Sequence, residues 1–204
     1  MVTMRRSPNV EERRRTLCDV AIELLAADGI KGLTHLKVDR RAHVADGSTS
    51  FYFRTTSALH LAVANRVAEL DIKDLTAATR GHGEVAQPSG LSLLVVRALS
   101  GARLKRTKAR NELALQASRD AALAEALRRF TDEFSALIRD VVQRWQPAAV
   151  RADTVLVEKQ TDAVLTYIGG LMLAGASGHR RVQDPEELDR LILSIVEGIA
   201  MSHS

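Results

Sequence analysis

THLKVDRRAHVADGSTSFYFRTTSAL, residues 34–59, decides the fold. Thr34 is a good N-cap for a short helix carrying Val38 and Ala42 and running to about His43. Val44, Ala45 and Asp46 then read as a turn, and Gly47 opens one or two further helical turns ending at Phe53. Thr55 or Thr56 can cap a longer fourth helix with Leu59, Ala62, Val63, Val67 and Leu70 on one face. Two short helices joined by a tight turn, with small polar residues opening the second, describe a helix-turn-helix whose second helix suits a major groove. Three of the chain's seven aromatic residues cluster there, at Phe51, Tyr52 and Phe53. Neighbouring helix positions point about 100° apart, so the three cannot all face one core.

Upstream, Pro8, Asn9 and Glu12 predict a first helix starting near residue 9, with Leu17, Val20, Ala21, Leu24 and Leu25 on its buried face and Gly29 as its stop. Downstream, Gly81, Gly83, Pro88, Ser89 and Gly90 mark a boundary between two bodies. Beyond it the pattern stays helical: Leu91 to about Leu104, then Asn111 to Ser118, then a stripe from Leu123 through Phe130, Phe134, Ile138 and Val141 to Trp145, ended by Pro147. A nearly uncharged stretch follows from Asp153 to about Ala176, and Pro185 opens a last helix with Leu188, Leu191, Ile192, Ile195, Val196 and Ile199. No strand alternation or internal repeat interrupts this, so the expected class is all-α.

The 204 residues combine 46% hydrophobic and 26% charged residues, values of a globular chain. No apolar run reaches membrane-spanning length, and the start lacks an apolar signal segment, which predicts a cytoplasmic chain without a membrane partner. Cys18 is alone and reads as a small buried helix residue. Residues 1–54 carry most of the net charge of +4. A basic N-terminal face favours nucleic acid, and is equally compatible with an ordinary solvated surface.

Gly29 to Leu59, GIKGLTHLKVDRRAHVADGSTSFYFRTTSAL, resembles the reading head of the tetracycline-repressor (TetR) family. Gly32, Leu33 and Thr34 match the family's entry into the second helix, Gly47 its small residue opening the reading helix, Phe53 its core position and Leu59 its anchor in the fourth helix. The resemblance implies a DNA-binding head over residues 1–54, a connecting helix over 55–80 and a helical ligand-binding, dimerising body over 81–204. It implies a homodimeric regulator, a repressor, that binds a palindromic double-stranded operator and is released by a small-molecule effector.

The DNA-facing set is then Thr34, His35, Lys37, Gly47, Ser48, Ser50, Phe51, Tyr52, Arg54 and Thr56, with Phe53 beneath as core. Ser50, Tyr52 and Thr56 stand where tyrosine, histidine and lysine are frequent, and Leu36 stands where a basic residue is common. The phosphate clamp is thus weaker in charge, with Arg54 available to compensate; a helical interaction protein with a degenerate head is the rival reading.

In the body, the family's cavity falls among the helices starting near Leu91, Asn111, Leu123 and Asp153, with Arg97, Gln116, Phe134, Gln160 and Tyr167 as candidate ligand contacts. Gly169 and Gly170 permit close backbone approach and, with Leu188, Ile192 and Val196, form the expected dimer interface. Arg103, Lys105, Arg106, Lys108 and Arg110 read either as a second nucleic-acid patch or as a solvated face, and the Arg5, Arg6 arm either contacts DNA or is an uninvolved tail. The six histidines show no metal-ligand spacing, and no nucleophile or phosphate-cradling motif is present, so neither metal, cofactor nor catalysis is expected.

Overall fold

The computed structural model describes residues 10–79, 88–147, 151–179 and 183–203, all helix or short connections. The Arg5, Arg6 arm, the Pro8, Asn9 helix start and Gly81 and Gly83 lie outside the described residues. Helices run α1 Val10–Asp28, a 3-10 turn Ile30–Gly32, α2 His35–Arg41, α3 Ser48–Tyr52, α4 Thr56–Thr79, α5 Gly90–Ala98, α6 Gly101–Ala117, α7 Ala121–Trp145, α8 Thr154–Ala176 and α9 Pro185–His203.

The caps explain most boundaries. Thr34 Oγ1 accepts the Lys37 N–H at 3.2 Å, and Thr55 Oγ1 accepts that of Ala58 at 3.1 Å, so Thr55 rather than Thr56 starts α4. Asp120 Oδ1 accepts the Ala122 and Leu123 N–H groups, Asp153 caps α8, and Pro185 takes the first position of α9 behind Asp184. One expectation fails. The helix from Leu91 ends at Ala98, and a single helix then runs from Gly101 to Ala117, where a break between Leu104 and Asn111 was expected. Ser100 is extended and Gly101 sits at φ +53, a local break that hydrophobic spacing alone does not show.

Two apolar cores follow. The first joins Leu17, Ala21 and Leu25 of α1, Val38 of α2, Phe53, and Leu59, Val63 and Val67 of α4. It does not stop with the head: Ala109 and Leu113 of α6 and Leu123 of α7 close it. Three short helices bury too little apolar surface to stand alone, so the body supplies the last wall. The second core packs Leu91 and Val95 of α5 with Phe134, Ile138 and Val142 of α7, Val164 and Ile168 of α8, and Leu188, Ile192 and Val196 of α9. Each such fully buried side chain stabilises by about 1.5–3 kcal/mol.

A buried carboxylate ties the start of the body to its end: Asp189 of α9 accepts the Ser89 N–H at 2.6 Å, the Ser89 hydroxyl at 2.5 Å and the Ser92 hydroxyl at 2.6 Å. These bonds fix where α5 begins relative to α9.

Candidate nucleic-acid interface and body cavity

Helix α3 has five residues, too short to hold itself together. Asp39, buried in α2, fastens it: one oxygen accepts the Gly47 N–H at 2.8 Å, and the other accepts the Thr49 N–H at 2.7 Å and the Thr49 hydroxyl at 2.5 Å. Gly47 lies at φ +93, where a side chain would be strained. At the far end, the Arg14 guanidinium donates to the Tyr52 carbonyl at 2.8 Å and lies 4.5 Å from the Phe53 ring centre. His35 Nε2 donates to the Phe53 carbonyl at 2.7 Å. Gly32 also has a packing reason, since a Cβ there would stand 2.1 Å from that of Asp28.

What remains outward is narrow. Phe53 is buried as expected, whereas Phe51 is 71% exposed with half-buried Tyr52 edge-on against it at 5.2 Å. Thr34, Lys37, Gly47, Ser50, Arg54 and Thr56 are likewise exposed, and Ser48 is half-buried. Ser48 and Ser50 donate their hydroxyls to the Ala45 and Gly47 carbonyls, leaving their lone pairs as acceptors. His35 is half-buried, and its ring braces Phe53 through the bond to the Phe53 carbonyl. Thr34 spends its hydroxyl on the cap, and Lys37 pairs with Asp28 at 3.0 Å. Leu36 is 43% exposed, an apolar spot on the surface of α2. Asp39 and Arg14, which position the helix without facing outward, carry no motif that marks them in the sequence.

The body holds a cavity of ≈ 250 Å³ between α4, α5, α6, α7 and α8. Its apolar wall includes Leu94, Phe130, Phe134, Ile168 and Met172. Its polar wall is a lattice of ion pairs: Arg103 grips Asp74 through two nitrogens at 2.8 and 3.2 Å, Arg106 pairs with both Asp71 at 2.5 Å and Asp74, and Arg110 pairs with Asp71 at 2.5 Å. These contacts hold the Asp74 carboxyl below its ordinary range, Arg103 first among them. Asp74, Arg103 and Arg106 also line a second cleft toward Glu23 of α1, so the lattice separates two spaces.

The expected ligand set is largely displaced. Of the five residues, Phe134 alone lines the cavity. Arg97 is exposed on the outside of α5, and Gln116 is half-buried away from the space. Tyr167 packs against the second core. Gln160 is buried and donates its amide to the Val196 carbonyl of α9 at 2.8 Å, making it a helix tie. Arg106 and Arg110 turn inward to Asp71 and Asp74 of α4 rather than forming a solvated face, whereas Arg103 pairs with Asp74 and stays exposed. Lys105, from the same run, turns the other way and pairs with Glu23 at 2.8 Å.

The interface set divides likewise. Leu188, Ile192 and Val196 are almost completely buried within the protomer, because the most apolar stripe of α9 closes the second core. Gly169 and Gly170 are exposed and would have open space beyond a Cβ. Val155 and Leu173 on α8, and Leu191, Leu193 and Met201 on α9, are the large outward apolar residues of these helices.

No family model and no curated protein matches the chain. Solved structures do. The chain is similar to the multidrug binding protein EbrR complexed with proflavin, at 25% identity over 90% of this chain and 99% of that one, with a TM-score of 0.60. It is similar to a TetR-family member from Streptomyces coelicolor A3, at 23% identity over 90% and 98% of the two chains, with a TM-score of 0.68. A transcriptional regulator from a Rhodococcus species aligns at 20% identity over 93% and 96%, with a TM-score of 0.70. These likenesses span nearly the whole of each chain, and the all-helical fold is that of TetR-family regulators.

Proposed function

We propose, from the premise that this chain shares the fold of TetR-family regulators, that it is a sequence-specific DNA-binding transcriptional regulator released by a small molecule. One observation carries the reading: a rigidly fastened five-residue helix presents Phe51, 71% exposed, beside Ser50 and Arg54 on a basic head. An exposed aromatic on a fixed helix is a contact group, able to meet thymine methyls while neighbouring hydroxyls meet base edges or phosphates. The chain binds rather than catalyses, and works in the cytoplasm as a homodimeric repressor on a palindromic operator. The outward faces of α8 and α9, with Gly169, Gly170, Leu173, Leu191 and Met201, supply the self-contact.

EbrR has been solved with ethidium and with proflavin, which supports an organic effector in the body of this chain as well. Helix α6 joins the two functions. Arg106 and Arg110 face the cavity, while Glu112 Oε2 on the same helix accepts the Ile30 N–H at 3.0 Å and Lys105 pairs with Glu23 of α1. An effector that moves α6 therefore moves the head, and releases DNA to the degree that it prefers the non-binding arrangement.

A mobility shift on random-sequence DNA, with selection of the bound fraction, tests this. An enriched palindrome whose binding weakens with salt is expected. Exposed Leu36 and the Lys37–Asp28 pair favour the rival reading, an interaction protein with a degenerate head. Absence of any shift at low salt would select that rival.

A further inference from the structure

We propose that the effector is an organic carboxylate with an apolar body, a refinement that rests on the effector reading above. Three guanidiniums meet two carboxylates on the cavity wall, and among the described residues no other charged side chain lines it, so one positive charge is left over. Both oxygens of Asp71 and both oxygens of Asp74 already hold arginines. Each guanidinium carries five N–H donors against those few acceptors, so donors are in surplus.

Two N–H groups, one of a guanidinium and one of an amide, are poorly served at the cavity itself. Arg110 directs its second terminal nitrogen at the Met172 sulfur, 3.7 Å away, and a thioether is a weak acceptor. Asn111 Nδ2 is buried at the cavity with no hydrogen-bond partner. Both lie on α6, one residue apart, where a single carboxylate could accept from each. The rest of the space, formed by Leu94, Phe130, Phe134, Ile168 and Met172, receives an apolar body, with the Arg110 guanidinium lying over the Phe130 ring at 5.2 Å. An ammonium would meet an excess of positive charge and carboxylates whose oxygens are all taken.

Calorimetry of the full chain without DNA, using octanoate, octan-1-ol and octylamine as probes of one length and three charges, tests the class. Octanoate should bind about tenfold tighter than octan-1-ol, the difference a charge-assisted hydrogen bond makes, and tighter again than octylamine. Asn111→Leu keeps the volume and removes the donor, so octanoate affinity should fall about tenfold while octan-1-ol affinity stays. Arg110→Gln should do the same. Octylamine binding as tightly as octanoate, no heat from octanoate, or an unchanged octanoate affinity in Asn111→Leu overturns the assignment. Because the wild-type series needs no variant to fold, it decides even if Arg110→Gln does not. A failure here leaves the mobility shift standing, and a failed mobility shift leaves the probe ranking standing.

Discussion

Asp39→Ala removes the acceptor for the Gly47 N–H, the Thr49 N–H and the Thr49 hydroxyl, all of them partly or fully buried. A hydrogen bond to a charged group contributes about 1.5–3 kcal/mol, and a buried donor left unmade costs about 1–3 kcal/mol. The three share one acceptor and do not add fully, so the expected loss is about 3–5 kcal/mol, in the range of a broken buried network. Asp39→Asn keeps one oxygen but turns an amide N–H toward a donor, for about 2 kcal/mol, and Thr49→Val removes the hydroxyl alone, for about 1 kcal/mol. The loss falls on α3, which is too short to persist unaided, so the competent fraction and the apparent DNA affinity should fall about 100-fold or more in Asp39→Ala. Urea unfolding followed by circular dichroism gives the stability, and a mobility shift on the selected operator gives the affinity. An Asp39→Ala protein within 1 kcal/mol of wild type that still binds operator would show that α3 is held some other way.

Burial pushes the Cys18 thiol up to about 11, so it should resist a thiol-specific disulfide reagent in the native chain and react once unfolded; prompt native labelling would contradict its burial. Burial pushes the His60 pKa below 6.5, against the opposing pull of Asp120 and with His35 adding to the shift, and its Nε2 has no partner. The unfolded chain then binds more protons below 6.5, so the His60 contribution is complete above that pH and is lost as pH falls; His60→Leu should flatten melting temperature between pH 7 and 5, and an unchanged slope would refute it. Ile192→Asp places a carboxylate in the second core and should destabilise the chain by about 3–5 kcal/mol, whereas Leu191→Asp with Met201→Asp should keep helix content and separate the protomers in sedimentation. The reverse pattern would return Ile192 to the interface.

The head was legible because its signals are local. Thr34 caps within three residues, Gly47 turns the chain where it stands, and Phe53, extended just past the end of α3, turns inward while Phe51 and Arg54 stay exposed. The body's helices were legible wherever an apolar stripe was long, as in α7, and blurred at Ser100, where the break is made by two backbone conformations. The cavity was not legible because its chemistry belongs to pairs on different helices: Arg106 and Arg110 resemble any basic run until Asp71 is known to face them across 35 and 39 residues of sequence. Gln160 and Tyr167 looked like ligand contacts for the opposite reason, since a polar group in an apolar helix must find a partner, and Gln160 finds a carbonyl of α9 rather than a ligand. Burial direction misled at α9, where the richest apolar stripe faces inward and the outward residues are scattered.

Fastening α3 through Asp39 and Arg14 has a consequence for how this head can change over evolutionary time. Thr49 and Phe53 are committed to holding the helix, whereas Ser50, Phe51 and Arg54 are exposed and make at most local contacts, Ser50 with the Gly47 carbonyl and Phe51 with Tyr52. Mutations at those three positions are therefore tolerated by the fold, so a duplicated copy of this chain can drift toward a new operator without passing through an unfolded ancestor. The same separation makes positions 50, 51 and 54 a ready library for reprogramming, with Asp39 and Thr49 left untouched as its frame.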